Sequence, residues 1–290
     1  MDTGTLTDMQ QRIADVRKDF WVGYTLAQKI ISDLEELLNY PKKIRPPNIA
    51  VIGETNNGKS FILSKFVERN NPPFDPNADH TTLPIVHVRL RSKADESRLY
   101  NAILSTLFAS GPDRESADAK LDRIHRLFFQ LETKMLVVDE FQHSTCGTPQ
   151  KIRELLHSIK NLGSDLRIPI VIGGTPEVLN ALQADPQISN RFHPRFLEKW
   201  EMTDNYLSLL GTIQVKLKLR KEYDLTEDRI AEKILNITNG ILGDIVDLIV
   251  CLAVDAIKSG KEMITLKMLS KEHLNDLGWV PPSNRSKYDR

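Results

Sequence analysis

The sequence has few cysteines and no excess of either charge. Its 290 residues include two cysteines, Cys146 and Cys251, which show neither a pairing pattern nor the spacing of zinc ligands. We therefore expect no disulfide framework, and this cysteine usage suits a reducing compartment. Lysine plus arginine equals aspartate plus glutamate, at 39 each. The total charge gives no argument for a nucleic-acid partner, so only a local basic patch could bind one.

Long hydrophobic runs are also missing. The first ten residues are polar and contain Asp2 and Asp8, which is unlike a signal peptide. The longest apolar stretch, residues 241–257, is interrupted by three aspartates. We therefore expect no membrane-spanning segment, no membrane partner and a cytoplasmic location.

The chain does contain short apolar runs that alternate with helical patterns. Runs of strand length lie at residues 49–52, 85–90, 135–138 and 169–172. This alternation predicts an α/β fold with a mostly parallel sheet flanked by helices. After Trp200 the patterns are mainly helical, although residues 213–219 alternate like a strand, so we expect a small helical domain to follow.

A complete G-x-x-x-x-G-K-[ST] pattern follows the first apolar run. It consists of Gly53, Glu54, Thr55, Asn56, Asn57, Gly58, Lys59 and Ser60. In such a loop the backbone wraps around phosphates and the next helix points its amides at them. Lys59 should reach the β- and γ-phosphates of ATP, and Ser60 should hold Mg²⁺. We also expect Phe61, the next residue, to contact the nucleotide. The alternative for the whole segment is a plain glycine turn without a ligand.

Two acidic residues follow the third apolar run. Asp139 and Glu140 come directly after Met135-Leu136-Val137-Val138. Asp139 should complete the Mg²⁺ shell, and Glu140 is the candidate base that orients and polarises the attacking water. An acidic pair at a strand end can also be a solvated turn, which is the alternative.

A hydroxyl residue and two arginines complete the candidate catalytic set. Thr175 follows the fourth run and could sense the γ-phosphate, or it could cap the helix that begins near Glu177. Arg191 and Arg195 are candidates for an arginine finger supplied to a neighbouring subunit, with Arg191 slightly favoured. The alternative for both arginines is a surface salt bridge.

Taken together, these residues resemble AAA+ ATPases and, more narrowly, the TnsC/TniB family of transposon-encoded transposition regulators, relatives of IstB and MuB. The narrower resemblance covers roughly residues 20–250. It is carried by Trp21-Val22-Gly23-Tyr24, Arg45-Pro46-Pro47-Asn48, the glycine-rich loop, Asp139-Glu140-Phe141-Gln142-His143, Gly173-Gly174-Thr175-Pro176 and the arginine segment.

The resemblance implies an ATP- and Mg²⁺-dependent homo-oligomer, a ring or helical filament, on double-stranded DNA. It also implies a transposase and a target-selection protein as partners, with hydrolysis limiting the assembly. Trp21 and Tyr24 would lie near the adenine, although helix packing explains these aromatics equally well. Residues 239–244 depart from many AAA+ proteins because they include no arginine to contact the nucleotide.

The sequence patterns also divide the chain into four expected parts. Residues 1–40 would be an N-terminal helical segment that packs on the ATPase core. Residues 41–203 would be the P-loop α/β core, residues 204–277 a helical lid domain, and residues 278–290 a flexible tail.

DNA contacts are expected from a basic cluster after the second strand. The candidates are Arg89, Arg91, Lys93, Arg98 and Lys120. Each of these could instead be an ordinary solvated residue. Two other functions stay open at this point: a helicase loader or replication-initiator relative, and a nucleotide-controlled switch that acts on a protein partner without DNA.

Overall fold

The computed structural model describes residues 7–73, 75, 77, 79–90, 95–112, 114–144 and 149–282. These residues form two compact units. Residues 26–198 make an α/β unit, and the described residues up to Thr25 join residues 199–282 in a helical unit. No helix in the described ranges is long and apolar enough to cross a bilayer.

The helices and strands have the following bounds. In chain order they are α1 (Asp8–Val16), α2 (Thr25–Leu38), β1 (Asn48–Gly53), α3 (Lys59–Asn70), β2 (Ile85–Arg89), α4 (Glu96–Thr106), α5 (Ala117–Gln130), β3 (Met135–Asp139), α6 (Pro149–Leu166), β4 (Ile170–Gly174), α7 (Pro176–Gln183), α8 (Pro186–Ser189), β5 (Phe192–Leu197), α9 (Asp204–Leu217), α10 (Asp228–Thr238), α11 (Leu242–Lys258) and α12 (Lys271–Asp276). Short 3₁₀ turns occupy Phe141–Ser144 and Leu266–Leu269.

The α/β unit is built on a five-stranded parallel sheet with the order β2-β3-β4-β1-β5. Strands β1, β3 and β4 are buried along their whole length, as expected for apolar runs covered on both faces. The predicted mostly parallel α/β fold is confirmed. Since the strands are parallel, their carboxyl ends lie at one edge of the sheet, which places Gly53, Asp139 and Gly174 together.

Strand β5 was not predicted from the sequence. It contains Pro194 and Arg195 and lacks a continuous apolar run. It lies at the edge of the sheet and pairs only with β1, and edge strands tolerate proline because one side needs no ladder hydrogen bonds. The ambiguous stretch 213–219 is mostly helical, since α9 continues to Leu217 with Ile213 buried and Val215 exposed.

The helical unit contains α9 to α12 and also α1. Val16 is buried in its core, and Phe20 and Val22 pack against that core. This division differs from the predicted one, in which residues 1–40 packed on the ATPase core. The physical reason is that the apolar residues around α1 are buried among the later helices, whereas α2 belongs to the α/β unit. Trp279, within the predicted tail, also packs on this core, and residues 283–290 lie outside the described residues.

A buried ion pair fastens α1 to the helical unit. The Arg12 guanidinium donates to both carboxylate oxygens of Glu262 at 2.6 and 2.7 Å. The backbone amide of Arg220 also donates to this carboxylate, at 3.3 Å. The hydrogen bond from Arg12 lowers the pKa of Glu262 to about 2. This carboxylate is therefore charged in the folded chain at neutral pH.

We expect Glu262→Gln to lower the free energy of unfolding of the helical unit by about 1–2 kcal/mol at neutral pH, after discounting for solvent screening. A carboxyl with a depressed pKa stabilises the fold above its unfolded pKa. The difference between variant and wild type should therefore shrink as the pH falls from about 4.5 toward 2. Urea unfolding at several pH values measures this, with the exposed Glu272→Gln as control. A difference that does not change with pH would contradict the assignment to this ion pair.

Candidate nucleotide-binding site

The loop between β1 and α3 has the backbone geometry of a phosphate cradle. Gly58 has a φ of 84° and Asn56 a φ of 62°, both left-handed, so the chain turns sharply before α3. At Gly53 an added Cβ would lie 2.9 Å from the Cβ and the carbonyl oxygen of Leu197, so only glycine fits. The first turn of α3 has no side-chain cap, which leaves its amides available to an anion.

Lys59 lies inside this loop. It is 5% exposed, and its Nζ donates to the carbonyl oxygens of Gly53 at 2.9 Å and Glu54 at 2.7 Å. Burial lowers the pKa of Lys59, and the negative charges of Glu140 and Asp139 oppose that shift. The ammonium group is therefore held among the loop carbonyls on the side of the acidic pair.

Asn57 has a role that the motif alone did not reveal. Its side chain is 2% exposed and donates to the carbonyl oxygens of Leu197 at 2.8 Å and Glu198 at 3.0 Å. We had predicted Asn57 as a nucleotide contact, but these bonds tie the loop to the end of β5. The motif allows any residue at position 57. An amide side chain within the loop was therefore the only sequence signal for this structural role.

Asp139 closes β3 at the same edge of the sheet. It is fully buried, and its Oδ1 accepts the Glu140 amide at 2.8 Å. Its Oδ2 has no hydrogen-bond partner in the described ranges, while His87 Nε2 and Arg89 Nε lie 3.9 and 3.7 Å away. Burial raises the pKa of Asp139, but His87, Ser60 and the Glu140 amide outweigh it and keep that pKa low. An ionised carboxylate oxygen without a donor fits a divalent cation.

Glu140 follows with a left-handed backbone, at a φ of 58°. Its Oε1 accepts the Ser60 hydroxyl at 3.1 Å, and its Oε2 accepts the Gln142 amide. The structure thus brings together Lys59, Ser60 and both acids. A fully buried Asp139 is incompatible with a solvated turn, which was the alternative for the acidic pair.

Gly173 and Thr175 lie on the next strand over. A Cβ at Gly173 would come within 2.7 Å of both Asp139 Oδ1 and Leu63 Cδ1, so this glycine leaves room for the acid and for α3. Thr175 precedes α7, but its side chain does not cap that helix. Its buried hydroxyl helps to lower the pKa of Glu177, yet it forms no hydrogen bond of regular geometry among the described residues. A polar atom in this state suits a sensor of the γ-phosphate.

The two arginines of the finger segment lie in different places. Arg191 precedes β5 at the edge where β1 begins, and its Nη1 donates to Ser164 Oγ at 2.8 Å. Six residues of β1 separate that edge from the glycine-rich loop, which is about 17–20 Å. Arg195 lies within β5, and its Nε contacts Asp33 Oδ2 at 2.5 Å. In the single chain Arg195 therefore makes the predicted alternative, a salt bridge.

The three predicted DNA contacts that the structure describes lie in different surroundings. Lys120 is 4% exposed and donates to Ser97 Oγ at 2.7 Å, so its ammonium group is turned inward and this prediction is wrong. Arg89 is exposed but lies beside Asp139, because the two residues are paired in register at the ends of β2 and β3. Arg98 is exposed on α4. Arg91 and Lys93 lie outside the described residues.

The two predicted nucleotide contacts outside the loop, Tyr24 and Phe61, lie in different surroundings. Tyr24 packs edge-on against Trp200 within the helical unit, with ring centroids 5.0 Å apart. Burial raises the pKa of its hydroxyl. This contact agrees with helix packing, the alternative for this residue. Phe61 is 41% exposed in the first turn of α3.

Comparison with known proteins gives a family and a fold. The family model for the bacterial TniB protein matches residues 12–202. A search of curated protein sequences finds no significant match. Cdc6p from Pyrobaculum aerophilum is similar in structure, with a TM-score of 0.60 and 16% identity over 91% of this chain and 70% of that chain.

Two structures of Aeropyrum pernix proteins are also similar. The ORC2 protein in its ADPNP-ADP complexes has a TM-score of 0.65 and 12% identity over 91% of this chain and 71% of that chain. The ORC1 protein in complex with DNA has a TM-score of 0.61 and 13% identity over 92% and 68%. Identities this low establish a shared AAA+ fold, while the family match extends over more than half of the sequence. The chain therefore belongs to the bacterial TniB family and has an AAA+ fold.

Proposed function

We propose that this chain is a Mg²⁺-dependent ATPase that assembles on double-stranded DNA and recruits a transposase, with hydrolysis controlling disassembly. The observation that carries the ATPase part is the meeting of Lys59, Ser60, Asp139 and Glu140 at one edge of the sheet. Family membership supports the part in transposition, including a target-selection protein as a further partner.

Each residue of the site has a distinct task in this proposal. The amides at the start of α3 and the Lys59 ammonium bind the phosphates. Ser60 and Asp139 would hold Mg²⁺, which neutralises charge on the phosphate oxygens. Thr175 would donate its hydroxyl to the γ-phosphate.

The hydrogen bond from Ser60 would keep Glu140, the candidate base, from accepting a proton. In the described structure Glu140 accepts a hydrogen bond from the Ser60 hydroxyl on one oxygen and from Gln142 on the other. If Ser60 turned to hold Mg²⁺, its hydrogen bond to Oε1 of Glu140 would break, and this carboxylate could then accept the proton of the attacking water.

Oligomerisation would complete the site. Arg191 lies at the opposite edge of the sheet from its own glycine-rich loop, so as an arginine finger it would act on the nucleotide of a neighbouring subunit. Since Arg195 is occupied by Asp33, Arg191 is the better finger candidate. This role would require a homo-oligomer, either a ring or a helical filament.

DNA binding rests on less. The Aeropyrum pernix ORC1 structure, which shares the fold, is a complex with DNA. In this chain Arg98 offers an exposed cation, and Arg91 and Lys93 stay predictions. Contacts of this kind bind phosphates and are sensitive to salt but tolerant of sequence.

Electron microscopy with and without a DNA duplex and ATP tests the proposal. We expect regular rings or filaments only when both are present. Arg191→Ala should lower ATP hydrolysis by the assembly about 10³-fold or more without weakening ATP binding by the single chain. The exposed Arg69→Ala on α3 is the matched control. If ATP binds but assembly does not depend on DNA, a nucleotide-controlled switch that acts on a protein partner would be favoured. Unassembled protein that delivers a helicase to DNA would favour the loader function.

A further inference from the structure

A small cationic cavity lies at the edge of the sheet where the strands begin. Its lining comes from the end of α2 and from the residues that precede β1, β3 and β4. The cavity measures about 220 Å³. The candidate nucleotide site lies at the other ends of the same strands, about 15–20 Å away. This cavity is therefore a separate site, and it is smaller than the pockets that hold drug-sized ligands.

The charges around the cavity are of one sign. Lys42, Lys134 and Arg167 line it, and all three are exposed. None of them forms an ion pair with any part of the chain that the structure describes. Nearby, Lys43 Nζ lies 4.8 Å from the centroid of the Tyr40 ring and donates to its hydroxyl at 3.0 Å. Cations that line one cavity and form no described ion pair attract an anionic group.

Between these cations the walls are apolar. Leu38, Pro46 and Ile168 contribute to the lining, and Ile168 is 4% exposed. Ile44, which lies between the lining residues Lys42 and Pro46 in sequence, is 73% exposed. A surface that offers cations and apolar contacts together fits a carboxylate that is flanked by hydrophobic side chains.

Arg167 holds an unfavourable backbone conformation. It follows the last residue of α6 with a φ of 56°, and the amide of Ile168 donates to the carbonyl of Gly163 at 3.1 Å. This is the position after a helix at which glycine is preferred, because an L-residue is strained there. Glycine at this position would keep the backbone conformation and remove only the charged side chain, so Arg167→Gly tests that side chain alone.

We propose that this cavity binds an acidic peptide segment of a partner protein, with a carboxylate between Lys42, Lys134 and Arg167 and an apolar side chain against Leu38 and Ile168. A DNA duplex fits less well, because a convex double helix cannot enter a concavity of this size and gains nothing from its apolar walls. The inference is independent of the nucleotide chemistry and of the role in transposition.

The test is an array of fluorescent hexapeptides that combine one to three aspartates or glutamates with leucine, isoleucine and phenylalanine. An otherwise identical array carries asparagine and glutamine in place of the acids. We expect the full chain to select acidic peptides. In fluorescence anisotropy Arg167→Gly and Lys134→Gln should each weaken the best peptide about tenfold, which is the size expected for one charge-assisted hydrogen bond. Lys29→Gln, an exposed lysine of α2, should have no effect.

Arg167→Gly separates binding from folding. Since glycine suits the left-handed backbone, its Tm should equal or exceed that of the wild type. Equal binding of the acid and amide arrays, or peptide affinity that is unchanged in both variants, would overturn the proposal. The proposal would also be overturned if the variants lost affinity for a labelled 20-base-pair duplex while their affinity for the peptide stayed unchanged. A loss of ATP hydrolysis by the assembly with unchanged peptide affinity would overturn it as well. Those results would assign the cations to DNA or to the nucleotide of a neighbouring subunit.

Discussion

Replacing Glu140 with glutamine is expected to lower the rate of ATP hydrolysis by about 10²- to 10⁴-fold while ATP binding stays close to that of the wild type. The amide keeps the size of the carboxylate and can still accept the hydrogen bond from Ser60, so the loop and the metal-binding residues stay in place. What is lost is the ability to take a proton from water. The effect should therefore appear in kcat and not in the affinity for the nucleotide.

Single-turnover hydrolysis and the binding of a fluorescent ATP analogue measure the two quantities separately. Glu36→Gln, the same substitution at an exposed position of α2, is the matched control and should hydrolyse ATP like the wild type. An equal loss of binding and hydrolysis in Glu140→Gln would mean that the residue holds the loop together. Unchanged hydrolysis would mean that another group acts as the base.

The meeting of the residues at the centre of the candidate site could be predicted because its sequence signals are local. A run of apolar residues that ends in a glycine-rich loop or an acidic pair specifies a buried parallel strand and the side chains at its carboxyl end. Lys59, Ser60 and Asp139 therefore needed only their immediate neighbours to be placed. The residues that support them needed contacts over long sequence distances. Asn57 contacts carbonyls about 140 positions away, which no local pattern records.

The errors have the same origin. Lys120 has the sequence environment of a surface lysine, but α4 and α5 pack so that its ammonium group reaches Ser97 instead of solvent. Residues 7–25 precede the α/β unit in sequence, yet they fold with helices that follow it, because Val16 and Phe20 find their apolar partners there. Periodicity gives the apolar face of a helix, but not the surface that covers it.

Gly173 supports a second prediction of large effect. An added Cβ would meet Asp139 Oδ1 and Leu63 Cδ1 at 2.7 Å, and both must move if alanine is placed there. Overpacking of this kind costs about 1–3 kcal/mol of stability. Displacing Oδ1 also breaks its 2.8 Å bond to the Glu140 amide, which supports the left-handed backbone of the candidate base.

We therefore expect Gly173→Ala to lower ATP hydrolysis by about 10²-fold, as a misplacement of about 1 Å does at a catalytic group, in addition to lowering the Tm. Gly211→Ala is the control, because its Cβ would meet only Thr226 Cγ2 at 3.7 Å and alanine favours the helical conformation of α9. Thermal unfolding and hydrolysis assays over a range of Mg²⁺ concentrations separate the two effects. If excess Mg²⁺ restores hydrolysis in Gly173→Ala, the damage lies in metal affinity at Asp139. If it does not, the displaced position of Glu140 is the cause. Gly173 is then needed because Asp139 and Glu140 act together within one narrow edge of the sheet.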